Sequence, residues 1–182
     1  MKTLNVASMG SPIGELTLVA SDRGLFYVFL PVKGRGVTSA LLRKTFPGVR
    51  ITGDGARLAA PIRQIREYFR GKRKVFSVDL DLQGTEFQKK VWRALAQVPY
   101  GKTESYAGIA RRIRNAKAAR AVGAACGANP IPLIIPCHRI VGRDGSLTGF
   151  AGGLRMKEKL LELEKRGDVK KPGSQIPRIS HF

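Results

Sequence analysis

Apolar and β-branched or aromatic residues in the first third of the chain gather into short runs of strand length. Leu16-Thr17-Leu18-Val19-Ala20 and Leu25-Phe26-Tyr27-Val28-Phe29-Leu30 read as strands, and Ser21-Asp22-Arg23-Gly24 between them has the chemistry of a hairpin turn. A helical period follows. Leu58, Ile62, Ile65 and Phe69 share one face, Pro61 is tolerable in a first turn, and Gly71 ends the segment. The strict alternation of Phe76-Ser77-Val78-Asp79-Leu80-Asp81-Leu82 then predicts a strand with one face buried.

Past a boundary near Gln83-Gly84 the pattern turns helical. Thr85 with Gln88 forms a capping box, and Phe87, Val91 and Leu95 line one face of a helix that must stop before Pro99. Pro99-Tyr100-Gly101-Lys102 is a turn. Ser105 caps a short helix from Tyr106 to about Ile113, Asn115 breaks it, and a second helix runs from about Lys117 to Gly127. Two helices joined so tightly make a helix-turn-helix candidate, decorated by Arg111, Arg112, Arg114, Lys117 and Arg120. The second helix has almost no side-chain bulk: Ala116, Ala118, Ala119, Ala121, Gly123, Ala124 and Ala125 suit close packing on a neighbouring helix and close approach to another surface equally well. A turn at Gly142-Arg143-Asp144-Gly145, a glycine-rich loop over 148–153 and a helix over 154–165 follow. Apolar periodicity then stops, so a flexible basic tail is expected over 167–182.

Charge narrows the class of partner. The chain holds 33 Lys and Arg against 13 Asp and Glu, a formal net charge of +20. Such an excess favours polyanions, with salt-dependent and largely sequence-independent affinity for nucleic acid, yet it selects no reaction. Arg70-Gly71-Lys72-Arg73-Lys74 is expected to be an exposed basic turn. The apolar residues near Lys2 are interrupted by Asn5, Ser8, Gly10 and Pro12, which leaves no signal-peptide core, and no stretch is apolar enough to span a bilayer. A reducing, cytoplasmic setting is therefore expected. With Cys126 and Cys137 alone, a disulfide framework is excluded.

The chemistry gathers around Cys137. Pro132 and Pro136 bracket an apolar run, Ile131-Pro132-Leu133-Ile134-Ile135-Pro136, and forbid a helix through it, so the backbone is expected to run extended and to present Cys137 at a fixed point. A thiolate becomes reactive when a cation or base is near, which His138 and Arg139 could supply. A buried cysteine acting as a small hydrophobe is the competing reading. On extended backbone consecutive side chains point to opposite sides, so a water bridge between Cys137 and His138 is expected rather than direct contact.

Pro136-Cys137-His138-Arg139 resembles the active-site signature of the O6-alkylguanine-DNA alkyltransferases, also called methylated-DNA-protein-cysteine methyltransferases. Further motifs stand in the family's order: Phe87-Gln88-Lys89-Lys90-Val91-Trp92, Ser105-Tyr106, Lys117-Ala118-Ala119-Arg120-Ala121-Val122-Gly123, Asn129-Pro130, Gly152-Gly153 and Glu164. Ser11-Pro12-Ile13-Gly14 and Ser21-Asp22-Arg23-Gly24-Leu25 match more loosely. The resemblance implies an α/β protein with a small ribonuclease-H-like sheet-plus-helix domain over 1–82 and a mainly α domain over 83–166 that carries the helix-turn-helix and the cysteine. It implies a DNA repair protein that flips O6-alkylguanine, and O4-alkylthymine, out of double-stranded DNA from the minor-groove side and transfers the alkyl group irreversibly to itself. The reaction would be a single-turnover, suicide one, without a cofactor, by a monomer in the cytoplasm, or in the nucleus of a eukaryotic host.

Roles for single residues follow from the same resemblance. Cys137 would be the nucleophile, with a relay through water to His138 and Glu164. Tyr106 would crowd the phosphate 3′ to the lesion and donate a proton towards the guanine, and Arg120 would replace the extruded base in the stack. Lys117, Ala119, Ala121 and Gly123 would face DNA. Asn129 would tie the second helix to the active-site segment, and Pro132, Phe150, Ala151 and Gly152 would shape the pocket. Ala151 lacks the hydroxyl that some members offer, so backbone groups would bind the alkylated oxygen there. Glu164 sits late in its helix, where the dipole disfavours an anion, and a partner such as His138 would account for it. Cys126 reads as inert packing. Some members hold zinc in the N-terminal domain through Cys and His; this chain has neither before Cys126, so no such zinc is expected. Two rival functions use the same residues: a lesion-binding module of the alkyltransferase-like kind that transfers nothing, and a cysteine hydrolase that turns over.

Overall fold

The computed structural model describes residues 3–31, 36–53 and 55–168. Four strands, β1 (Thr3–Ser11), β2 (Gly14–Ala20), β3 (Leu25–Phe29) and β4 (Arg50–Thr52), form one sheet in the order β3-β2-β1-β4. Neighbours are antiparallel except β1 and β4, which run parallel. Helix α1 (Ser39–Thr45) lies between β3 and β4 in the chain, and α2 (Ala59–Phe69) follows a single 3-10 turn at Ala56–Leu58. The second half holds α3 (Glu86–Ala96), α4 (Tyr106–Arg112), α5 (Ala119–Gly127) and α6 (Leu154–Asp168), with a two-stranded parallel pair, β5 (Glu104–Ser105) and β6 (Ile140–Val141).

The sheet is covered on both faces, which explains why its pattern is only half periodic. Leu16, Leu18 and Ala20 of β2 enter the main core, while Val19 between them packs on the other face with Leu4 of β1, Leu42 of α1 and an aromatic group of Phe26, Tyr27, Phe29 and Phe46. The hairpin predicted over Ser21-Asp22-Arg23-Gly24 is present: Ser21 N–H donates to the Gly24 carbonyl at 2.9 Å. Gly24 is required there, because its φ of +149° and the adjacent Asp79 carbonyl leave no room for a Cβ.

Residues 76–82 do not form the expected strand. Their alternation is real, with Phe76, Val78, Leu80 and Leu82 buried, but pairing is limited to an isolated bridge between Leu25 and Leu80. The backbone finds its partners elsewhere. Gln64 of α2, itself buried, accepts from Ser77 N–H at 2.8 Å and donates to the Ser77 carbonyl at 2.9 Å, so a side chain replaces a ladder. Asp81 closes the segment, accepting from Ser21 Oγ at 2.7 Å, Arg23 at 2.6 Å and Gln83 at 2.8 Å.

Helices α3 and α4 begin where their caps predict, whereas α5 starts at Ala119 rather than about Lys117 and has no side-chain cap. Gln88 N–H donates to Thr85 Oγ1 at 3.2 Å while Thr85 N–H donates to Gln88 Oε1 at 2.8 Å, a complete capping box for α3. Ser105 caps α4 by accepting from Gly108 N–H at 2.9 Å. Helix α6 extends past the expected end at Lys165 as far as Asp168, so the first two residues assigned to the flexible tail are helical; 169–182 lie outside the described residues. The turn over 70–74 is less open than expected, since Arg73 pairs with Glu67 at 2.7 Å and Lys74 lies over the Tyr100 ring. Among the described residues no helix is long and apolar enough to cross a membrane.

Candidate active site

Two short strands bring the chemistry together. β5 ends where α4 begins, and β6 starts where the Cys137 turn ends, so the parallel pairing of Glu104 with Ile140 and Ser105 with Val141 sets Tyr106 beside that turn. Residues 131–141 are all buried. Leu133 adopts a left-handed φ of 75°, unusual for a bulky side chain, and Ile135 N–H closes the loop on the Ile131 carbonyl at 3.0 Å.

Asn129 holds this loop at three points. Its Oδ1 accepts from Ile131 N–H at 3.0 Å, and its Nδ2 donates to the Ile135 carbonyl at 2.8 Å and to Cys137 Sγ at 3.2 Å. The backbone does not stay extended through the cysteine, as the sequence suggested. Cys137–Arg139 form a 3-10 turn, with Arg139 N–H on the Pro136 carbonyl at 3.0 Å. Pro136 forbids a helix through itself but not one that starts after it, so the strand-like alternation expected between Cys137 and His138 does not apply.

Behind the cysteine lies a buried charge network. Glu164, fully inaccessible, accepts from His138 Nε2 at 2.8 Å, from Arg139 Nε and Nη2 at 2.9 and 3.0 Å, from Gly101 N–H at 3.0 Å and from the Tyr68 hydroxyl at 2.8 Å. The placement of an anion near a helix C-terminus is thereby explained. Burial alone would raise the Glu164 carboxyl, but His138 and Arg139 together hold it well below the usual carboxylate range. Burial lowers His138, so the imidazole is neutral near neutral pH. With Nε2–H given to the carboxylate, Nδ1 is left as a free base, and it has no hydrogen-bond partner among the described residues.

Arg139 therefore does not serve Cys137 as the sequence suggested; its guanidinium is turned to Glu164 and to the Val98 carbonyl, 2.6 Å away. The cation that acts on the thiol is Lys157 of α6, fully buried, whose Nζ donates to the carbonyls of Ile140 and Thr148. Sequence reasoning missed Lys157, and its spacing of seven residues before Glu164 on one helix was the available signal. Burial pushes the Cys137 thiol up, and the Asn129 amide and Lys157 offset part of that. The thiol is thus protonated at rest and must lose its proton as it reacts.

Cys137 opens onto a cavity of about 650 Å³. Its walls are Ala119, Arg120, Gly123, Cys126 and Gly127 of α5, Tyr106 of α4, and Thr148, Gly149, Phe150 and Ala151 of the glycine-rich loop. Thr148 Oγ1 donates to the Tyr106 hydroxyl at 3.3 Å, joining loop to helix. Of the expected pocket residues, Gly152 lies outside the walls, where a Cβ would strike Met156, and Pro132 is buried in the active-site loop. Lys117 and Ala121 are exposed beside the cavity. Cys126 is more than packing, since it faces the cavity. Positions 119, 123, 126 and 127 share one helical face, a signal the sequence did carry. Burial pushes its thiol up to about 12, so it is no rival nucleophile.

Of the two uses foreseen for the small residues of α5, close packing on a neighbouring helix is realised on its buried face. Val122, Ala125 and Cys126 are buried, and Trp92 Nε1 of α3 reaches the Ala125 carbonyl at 2.8 Å, which a larger residue on this face would obstruct. Arg120, Ala121 and Ala124 stay exposed.

Residues 86–166 match the family model described as the DNA binding domain of 6-O-methylguanine DNA methyltransferase. The chain is 51% identical over 124 residues to the inducible methylated-DNA-protein-cysteine methyltransferase of Bacillus subtilis (strain 168), covering 68% of this chain and 69% of that one. It is 42% identical over 164 residues to the methylated-DNA-protein-cysteine methyltransferase of Mycobacterium tuberculosis (strain H37Rv), covering 89% and 93%. Its fold is similar to the crystal structure of Mycobacterium tuberculosis OGT in complex with DNA, with a TM-score of 0.76 and 39% identity, across 91% of this chain and 94% of that one.

Proposed function

This chain belongs to the methylated-DNA-protein-cysteine methyltransferase family, enzymes that repair DNA by alkyl transfer, and we propose that Cys137 itself takes the alkyl group from O6-alkylguanine and, by the same route, from O4-alkylthymine. The observation that carries this reading is that Cys137 lines a cavity walled in part by α5, next in the chain to His138, whose Nδ1 has no hydrogen-bond partner among the described residues.

DNA lies against the exposed row of α5, with Arg120, Ala121 and Ala124 in the minor groove and Lys117 on the backbone. A stacked base cannot reach a buried sulfur, so the damaged nucleotide rotates into the cavity and Arg120, at the cavity edge, fills the gap in the stack. Tyr106 crowds the 3′ phosphate and faces the base. As the thiol proton passes through a water to His138 Nδ1, the sulfur attacks the alkyl carbon in line; the S–C bond forms, the C–O6 bond breaks, and the guanine anion takes a proton, from Tyr106 or the relay. Glu164 stabilises the transient imidazolium. The product is a thioether, which has no good route to hydrolysis, so each polypeptide acts once, as a monomer, without a cofactor. The division into a sheet-bearing part over 1–82 and an alkyl-transferring part over 83–166 follows the same roles.

The test is the intact-protein mass after incubation with an O6-methylguanine duplex. One methyl group per chain on Cys137, with one lesion repaired per chain, is expected. Loss of several lesions per chain with the thiol unmodified would sink the reading and favour a hydrolase. Cys137→Ala should bind the lesion and transfer nothing.

A further inference from the structure

Tyr68 stands apart from the roles assigned above. It sits on α2, packed on the sheet side of the molecule, yet its hydroxyl reaches Glu164 Oε1 at 2.8 Å across 96 residues of sequence. The side chain is fully buried, with its ring edge-on to Phe69 at 5.3 Å and to Tyr100 at 5.9 Å, so it has one orientation. Burial first, then the adjacent carboxylate, raises the phenol well above its ordinary range, which keeps it an O–H donor at every pH of interest.

Oε1 is crowded. It also accepts from His138 Nε2 at 2.8 Å and from Arg139 Nη2 at 3.0 Å, three donor groups on an oxygen with about two lone pairs. Donors on one oxygen compete for the same negative charge. We propose that Tyr68 is a positioning residue for the Glu164 and His138 pair: its phenol fixes the carboxylate and takes up charge that would otherwise fall on the imidazole. The remaining charged and titratable groups around His138 are Arg139 and Cys137 on its own turn, Lys157 and Glu164 on α6, and Tyr100 against Arg139. Arg139 and Lys157 act in the same direction as Tyr68, keeping His138 unprotonated. The phenol thus helps to keep the base free before the thiol gives up its proton, a consequence that rests on His138 acting as that base.

Removing the hydroxyl leaves Oε1 more negative towards Nε2 and favours imidazolium. In Tyr68→Phe, the His138 titration midpoint, followed by NMR of the full chain and assigned against a His138→Gln variant, should rise by about half a pH unit or more. Site-specific difluorotyrosine at position 68, a stronger donor, should lower it. Single-turnover methyl transfer from an O6-methylguanine duplex should show its acid limb moving with the midpoint. An unmoved midpoint in both variants overturns the proposal, whether transfer stays normal or falls equally at all pH, since packing alone would give that result. A midpoint that moves as expected while the rate profile stays fixed supports Tyr68 and instead removes His138 from its role as base.

Discussion

Glu164 is a buried anion whose partners decide what its loss would do. Arg139 holds it through Nε and Nη2, with contacts of 2.9, 3.0 and 3.2 Å, and is itself buried, so removing the carboxylate strands a guanidinium away from water. Glu164→Gln keeps the shape and cancels the charge. Breaking a buried pair on one side costs about 3–5 kcal/mol, and urea unfolding at neutral pH should show a loss of that order. The pH dependence has a definite sign. A carboxyl depressed in the folded state contributes stability that is full above its unfolded value, about 4.3, and is lost as pH falls towards the folded one. Stability of the parent should therefore drop more steeply below about pH 4.5 than that of Glu164→Gln; parallel curves would contradict the assigned ionisation. Methyl transfer should fall by about a hundredfold or more in the variant, because the imidazolium loses its counter-charge. The pairing of His138 with Glu164 was legible because the signature and a late helical anion both stand in the sequence. The true partner of Arg139, 25 residues away, and the approach of Tyr68, 96 residues away, were not, since nothing local marks a contact that only packing creates.

Helix α5 shows how one row of small residues serves two purposes. Its buried side needs small residues so that Trp92 can reach the Ala125 carbonyl at 2.8 Å, and its open side presents Ala121 and Ala124 with Arg120 and nearby Lys117. If that open side meets the minor groove, negative charge there repels phosphate without touching the cavity. Ala121→Asp with Ala124→Asp should weaken binding to a duplex by at least about tenfold, given that each close like-charge contact costs on the order of a kcal/mol or more. Methylation of Cys137 by free O6-methylguanine base should be unchanged. Equal duplex affinity in a fluorescence-anisotropy titration would place DNA on another face. Elements with a local signature were legible: Thr85 and Ser105 announce α3 and α4 by their own side chains. β1 was missed because both its faces are covered, Leu4 and Val6 towards one apolar group and Ala7 and Met9 towards the other, so no single period emerges. α1 and β4 are seven and three residues long, too short to show a period. The strand expected over 76–82 failed for the opposite reason. Its period is clean, but Gln64 takes the backbone hydrogen bonds of Ser77, and pairing with β3 is confined to those that Asp79 and Asp81 make with Leu25.

One apolar cluster joins Leu16, Leu18, Leu25, Val28, Ile65 and Tyr68 of the first half to Val91, Trp92, Ile131, Ile135 and Leu160 of the second. Hydrogen bonds cross at the same place: Val28 N–H of the edge strand donates to the Pro130 carbonyl at 2.8 Å, next to Asn129, and Tyr68 reaches Glu164 at 2.8 Å. Periodicity can mark a boundary near Gln83-Gly84, because a change of period is local; it cannot say whether the parts on either side melt separately, because that depends on area shared between them. The magnitudes favour a single transition. A fully buried aliphatic or aromatic side chain contributes about 1.5–3 kcal/mol, so exposing five at this junction would cost on the order of 10 kcal/mol, comparable to the entire stability of an ordinary domain. A state with the sheet lost and α3 to α6 intact would bear that cost and also leave Glu164 and the active-site loop short of partners. It should not accumulate. Trp92, buried on α3, is the sole tryptophan of the chain and reports the second half by fluorescence, whereas far-ultraviolet circular dichroism reports both halves. In urea the two curves should coincide, with the methyl-transfer capacity of Cys137 falling along the same curve. A circular-dichroism transition that leads the fluorescence would show the sheet leaving first. Transfer persisting between the two would then show that the second half holds its relay without Tyr68.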